Sequence, residues 1–160
     1  MDRTLIERYV AGGETLRRAV QGLTPDDLRA KPGPGDWSIQ QLVIHLADSD
    51  AIAIDRMKRI LTEDNPPLLY ADETAYTERL FCEEQSLDDA LLLFEAGRRQ
   101  FGRILRGLPD AAFARVGTHN RKGQVTLGGM VADYIQHLEY HLTFLYGKRE
   151  RLGKPLLNDE

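Results

Sequence analysis

His137 and His141 stand four residues apart in the run Asp133-Tyr-Ile-Gln-His-Leu-Glu-Tyr-His-Leu-Thr-Phe, a spacing that puts both imidazoles on one face of a helix. Two side chains so placed can share one metal ion. At about 100° per residue, His141 lies about 40° from His137, with Met130, Tyr134 and Phe144 within about 60° and Leu127, Leu138 and Leu145 further round the same side. Gln136, Glu139 and Thr143 point away. The pair therefore faces a packed interior, where unpartnered imidazoles would cost about 1–3 kcal/mol each. A metal ion or a polar network is expected to meet them, and bonding to neighbouring carbonyls as ordinary core histidines is the other reading.

The elements that must position this pair follow from apolar spacing, which is helical almost everywhere; no segment alternates long enough to place a strand. The first predicted helix runs from about Thr4 to Val20 and buries Leu5, Ile6, Tyr9, Leu16 and Val20, with Gly12-Gly13 costing it intrinsic stability. Thr24 caps a short turn after it. The segment Lys31-Pro-Gly-Pro-Gly-Asp is a loop by composition and lacks the Gly-Lys-Ser/Thr of a phosphate-binding loop. Ser38 and Gln41 then make a capping pair for a second helix reaching about Leu61. Ser86 caps a third, which buries Leu87, Leu91, Phe94, Phe101, Ile104 and Leu108 and stops at Gly107 to Pro109. The fourth follows Thr126, from about Leu127 to Tyr146, and ends at Gly147. Between the second and third, Thr62 to Gln85 holds Asn65-Pro-Pro and a weakly helical piece from Glu73 to Phe81, a connection long enough to cross a bundle end to end. The expected fold is an all-α four-helix bundle with a long crossover connection: one domain over residues 1–147, then a loosely held tail, Lys148 to Glu160.

Composition narrows the function. The chain has 160 residues, 42% of them hydrophobic, enough for one core. No apolar run approaches the roughly eighteen residues of a membrane span, and charges fill the N-terminus where a signal peptide needs an apolar stretch, so a cytoplasmic protein with no membrane partner is expected. The single cysteine, Cys82, excludes an internal disulfide and a cysteine-based zinc knuckle and reads as a packing residue. A net charge of −4 with both signs interspersed offers no basic stripe for nucleic acid. Arg98-Arg99, with Arg103 and Arg106, reads as the solvated face of the third helix.

Bundles build metal sites from side chains on facing helices. His45, on the second helix at the edge of its apolar arc with Gln41, Asp48, Ser49 and Ile52, becomes the third ligand; taken singly it reads as a boundary residue bonded to water. Trp37-Ser38-Ile39, then His45-Leu46-Ala47-Asp48-Ser49-Asp50, then His119 with Gly123 and Thr126-Leu127, then His137 and His141 together resemble the motifs of the DinB/YfiT-like superfamily of small bacterial four-helix proteins. The resemblance spans Trp37 to Tyr146. It implies a bundle, often a homodimer, whose metal is held by three histidines matching His45, His137 and His141. Asp50 stands where many members have glutamate. Since it points about 140° away from His45, a structural or interface role is expected for it.

Three nitrogen ligands leave coordination positions open, so a bound water or thiol could become a nucleophile at neutral pH. All-imidazole ligation favours zinc or nickel among divalent metal ions. The stretch His137-Leu-Glu-Tyr-His141 is not the zinc-protease motif, because Glu139 lies about 200° round the helix from His137. Asp48 is the best-placed base, or else orients a histidine. Tyr134 either donates a hydrogen bond to substrate or packs. His119 reads as a solvated loop histidine, with lining the cleft as the alternative. The resemblance implies thiol S-transfer or hydrolysis. A metal-dependent thiol S-transferase, joining a low-molecular-weight thiol cosubstrate to a small electrophile in detoxification or stress response, is expected because thiolate formation needs only the metal. A metal-dependent hydrolase is the alternative, and a non-catalytic metal- or ligand-binding bundle is the third reading.

Overall fold

The computed structural model describes residues 2–33 and 35–156. Pro34 of the predicted loop and residues 157–160 of the predicted tail lie outside the described residues. Four long helices dominate: α1 (Thr4–Ala19), α3 (Ile39–Thr62), α5 (Leu87–Gly107) and α6 (Leu127–Arg151). Two short ones, α2 (Pro25–Arg29) and α4 (Glu73–Arg79), and a 3₁₀ turn (Asp110–Ala114) join them. The predicted caps at Thr24, Ser38 and Ser86 form, and Thr126 caps α6: each accepts a hydrogen bond from a backbone N–H three residues on, each worth about 1 kcal/mol. Gln41 closes the capping box at Ser38.

The long helices form a four-membered ring in which α1 and α3 each pack on α5 and α6. Gln40, at the start of α3, donates to the carbonyls of Cys82, Glu83 and Gln85 just before α5, so these two helices begin at the same end. Parallel neighbours need a connection that runs the length of the bundle, and the segment 63–86 is that crossover. α1 runs opposite to α5, as the ion pairs Glu7–Arg106 and Arg17–Glu95 show. No helix among the described residues is long and apolar enough to cross a membrane.

The structure corrects several expectations. Strands do form: β1 (Pro67–Leu68), β2 (Val116–His119) and β3 (Gly123–Thr126) make a small sheet, β1 parallel and β3 antiparallel to β2. Strands of two to four residues are too short for an alternating pattern to register, and tertiary packing of Leu68 against Ile60 and Gly117 supplies what the pattern lacks. α6 does not stop at Gly147 but continues to Arg151, because Arg149 reaches back to the last carbonyls of α1, those of Ala19 and Gln21. Lys148 and Arg149, expected in the tail, are buried. Ile104 is exposed rather than buried.

The largest correction concerns Arg98, which is fully buried instead of solvated. Its guanidinium donates to both Asp50 carboxylate oxygens at 2.8–3.1 Å, to the Tyr9 carbonyl on α1 at 3.2 Å and to the Tyr134 carbonyl on α6 at 2.9 Å. The Tyr9 and Phe94 rings cover its faces at 4.5 and 4.3 Å, a cation–π arrangement. Asp50, 2% exposed, thus takes the structural role its helix angle suggested. Gly12 explains its own cost to α1: a Cβ there would lie 2.4 Å from Arg98 Nη1 and 2.7 Å from Leu138 Cδ2.

Removing one partner strands a buried charge. Asp50→Asn or Arg98→Ala is expected to destabilise the fold by about 3–5 kcal/mol in urea denaturation. The double variant Asp50→Leu/Arg98→Met should recover much of that loss, and additive losses in the pair would contradict this account.

Candidate metal centre

α3 brings His45 and α6 brings His137 and His141 to one point. The three Nε2 atoms form a triangle, with His45 3.2 Å from His137 and 3.1 Å from His141, and His137 3.1 Å from His141. Tetrahedral zinc with imidazole bonds of about 2.0–2.1 Å separates its donors by about 3.3–3.4 Å; the observed separations lie within a few tenths of an ångström of that. The donor chemistry fits as well. Desolvation, then the neighbouring imidazoles His141 and His137, lowers the pKa of His45 to about 3. Desolvation, then His141 and Arg98, lowers that of His137 to about 4. His141 is lowered by desolvation. All three are thus held in the neutral form that binds metal.

Aromatic rings fix the imidazoles. Trp37, just before α3, packs 4.9 Å from His45 and lies nearly parallel to His141. Tyr134 and Tyr140 present edges to His137 and His141 at 5.8 and 5.3 Å. His141 Nδ1 is buried without a partner among the described residues, so packing, rather than the carbonyl or carboxylate that usually orients a ligating histidine, sets this ring.

A carboxylate beside the triad is Glu73, at the start of α4 in the crossover. Glu73 Oε2 stands 3.8 Å from His45 Nε2. Burial raises its pKa, with Arg56 and Lys122 opposing the rise. Asp48 is half-buried, its pKa raised by burial, and it acts electrostatically on Cys82. Sequence reasoning placed a helix at Glu73 but had no signal for which way it faced; the only available clue was Asp72, which caps that helix. Tyr134 lies against His137, and its hydroxyl accepts a hydrogen bond from Arg56 Nη1 at 3.4 Å; burial raises its pKa, keeping the phenol protonated.

Other residues fall outside the site. His119 is buried on β2, where Nδ1 accepts from the backbone N–H groups of Arg121 and Lys122 and closes the hairpin turn. It is neither solvated nor in the cleft. Glu139 points outward to Arg8 at 2.7 Å. Cys82 is buried as a packing residue.

A four-helix bundle with a crossover between two parallel helices and a three-histidine cluster between facing helices defines a class of small helical proteins with a preformed metal-binding geometry. The family model of the DinB superfamily matches residues 8–145, and the chain belongs to that superfamily. YfiT of Bacillus subtilis, a candidate metal-dependent hydrolase by name, is 30% identical over 139 residues, covering 86% of this chain and 78% of YfiT. A relative of the same name class from Oceanobacillus iheyensis is 29% identical over 130 residues, 81% of this chain and 75% of that protein. The solved structure of YfiT, described as having an unusual four-helix bundle topology, superposes with a TM-score of 0.88 at 28% identity, covering 94% of this chain and 86% of that one. A mycothiol-dependent maleylpyruvate isomerase shares the fold at a TM-score of 0.70 and 14% identity, covering 89% of this chain and 59% of that one.

Two measurements probe this centre. Elemental analysis after zinc reloading is expected to find about one metal per chain in the wild type and in Glu139→Gln, and little in His141→Ala; full retention by His141→Ala would remove it from the site. In the metal-free protein, unfolded histidines protonate near 6.5 whereas folded His45 and His137 stay neutral down to about 3 and 4. The unfolded chain therefore binds more protons in that window, and stability falls as pH drops below about 6.5. Melting temperatures measured from pH 7 to 5 should fall less steeply in His45→Leu than in the wild type, and equal slopes would contradict it.

Proposed function

We propose that the protein is a metal-dependent hydrolase acting on a small molecule, with Glu73 as its general base. The observation that carries this reading is the Glu73 carboxylate, 3.8 Å from His45 Nε2 and raised in pKa by burial. The sequence favoured thiol transfer because thiolate formation needs only the metal; Glu73 supplies the carboxylate that hydrolysis uses. The names of the relatives support the same choice.

His45, His137 and His141 would hold the ion, zinc or nickel by donor type, and when bound it supplies Lewis acidity and a water of near-neutral pKa. Glu73 is placed to take the proton of the attacking water and return it to the leaving group. Tyr134 keeps its proton and can donate it as a hydrogen bond to oxygen charge that develops on the substrate, while Arg56 donates to the Tyr134 oxygen and strengthens that bond.

The second reading is thiol S-transfer, with a low-molecular-weight thiol joined to an electrophile. It rests on the all-imidazole donor set, since deprotonating a bound thiol asks nothing of a carboxylate.

Glu73→Gln separates the two. For a hydrolase, the variant should keep its metal and lose roughly 10²–10⁴-fold in kcat on an ester and amide panel. The wild-type kcat/KM should rise with pH through an acidic limb that vanishes in the variant. An undiminished rate in thiol conjugation assays, with no hydrolysis by the wild type, would instead establish transfer.

A further inference from the structure

An apolar slot lies beside the metal centre and shares His141 with it. It has a volume of about 210 Å³ and is walled by Trp37, Leu42, Tyr140 and Phe144. His141 of the triad forms one end, and Lys148, two turns further along α6 and so about 10 Å away, forms the other. The Lys148 ammonium donates to the Gly35 carbonyl at 3.1 Å. Its head is thereby engaged, and its hydrocarbon stem is the part suited to line an apolar wall. Asp36 stands at the exposed rim.

The slot is built by the backbone as well as by side chains. Gly35 has φ +78°, a conformation costly for any residue with a Cβ, and a Cβ there would lie 3.4 Å from the Phe144 ring. Glycine at this position lets the loop pass close over Phe144 and form the roof. An apolar cavity of about 150 Å³ holds one benzene molecule, so this slot has room for a single aromatic ring or a short branched chain.

We infer that the slot is the substrate's apolar subsite, taking an aryl or short branched-alkyl group attached to the carbonyl that meets the histidines. The assignment of that carbonyl rests on the hydrolase reading; the discrimination by the slot does not. Substrates are therefore small acyl derivatives with one compact apolar group next to the reacting carbon.

The test is binding, read without turnover. Acetohydroxamate and benzohydroxamate present the same metal-binding head and differ in the group offered to the slot. With zinc-loaded protein freed of excess metal, calorimetry should give benzohydroxamate a dissociation constant at least ten-fold lower than that of acetohydroxamate. The emission of Trp37, the single tryptophan, should change on binding. Phe144→Ala should abolish most of the preference, lowering benzohydroxamate affinity far more than acetohydroxamate affinity. Tyr140→Ala, at a residue 59% exposed, should weaken it in the same direction without burdening the core. Equal affinities in the wild type, binding of neither probe, or a preference that survives both substitutions would overturn the inference. No hydrolysis by the wild type, with the preference intact, would overturn the hydrolase reading and leave the subsite standing.

Discussion

The register of the whole bundle depends on one buried ion pair. Arg98 and Asp50 leave water together, and the cost is offset only because the guanidinium also reaches the carbonyls of Tyr9 and Tyr134 and lies between two aromatic rings. One side chain thereby contacts all four long helices. Burial raises the Asp50 pKa, and the Arg98 charge and the bonds from Arg98 and Tyr9 oppose that rise. Above and below the pair lie two apolar clusters, one around Leu46, Phe94 and Leu142, the other around Met57, Phe101 and Val131. Neither cluster fixes an axial position by itself, because apolar contacts are non-directional. The directional bonds of Arg98 do.

The metal centre inherits that register. His45 precedes Asp50 by five residues on α3, and His137 follows Tyr134 by three on α6. These helices run in opposite directions, so stepping back along one and forward along the other arrives at the same level of the bundle. A slip of one residue would move a histidine by about 1.5 Å and rotate it by about 100°, enough to destroy a triangle of nitrogens 3.1–3.2 Å on a side. Packing against Trp37 and the tyrosines then fixes the rings without a hydrogen bond to His141 Nδ1.

What the sequence made legible was whatever is encoded within one or two helical turns. The caps at Thr24, Ser38 and Ser86 are local hydrogen bonds between a side chain and a backbone three residues on. The facing of His137 and His141 follows from helical geometry alone, and the long crossover followed from its length and its prolines. Arg98 was misread because an arginine among other arginines on an amphipathic helix looks solvated. Its partner Asp50 is 48 residues away in the chain, and nothing local announces the pairing. Gly147 looked like a helix stop because the bonds that carry α6 onward, from Arg149 to the end of α1, are tertiary. Glu73 was missed for a related reason: a seven-residue helix in a long connection has no face of its own until the bundle beneath it supplies one.

That placement bears on how reactions vary within this fold. The four long helices hold the histidines, and the superposition with proteins of different names shows the bundle to be shared widely. A common scaffold does not fix a reaction. The carboxylate that favours hydrolysis here comes instead from the crossover, a segment whose conformation is less constrained by core packing than that of the helices it joins. The roof of the apolar slot likewise comes from the loop before α3, where Gly35 passes Phe144. On the proposed reading, the bundle supplies the metal-binding geometry, and the two connections that flank α3 supply the base and the shape of the substrate site. A change confined to either connection would therefore alter the reaction or its substrate while leaving the histidine triangle and the Arg98 anchor as they are.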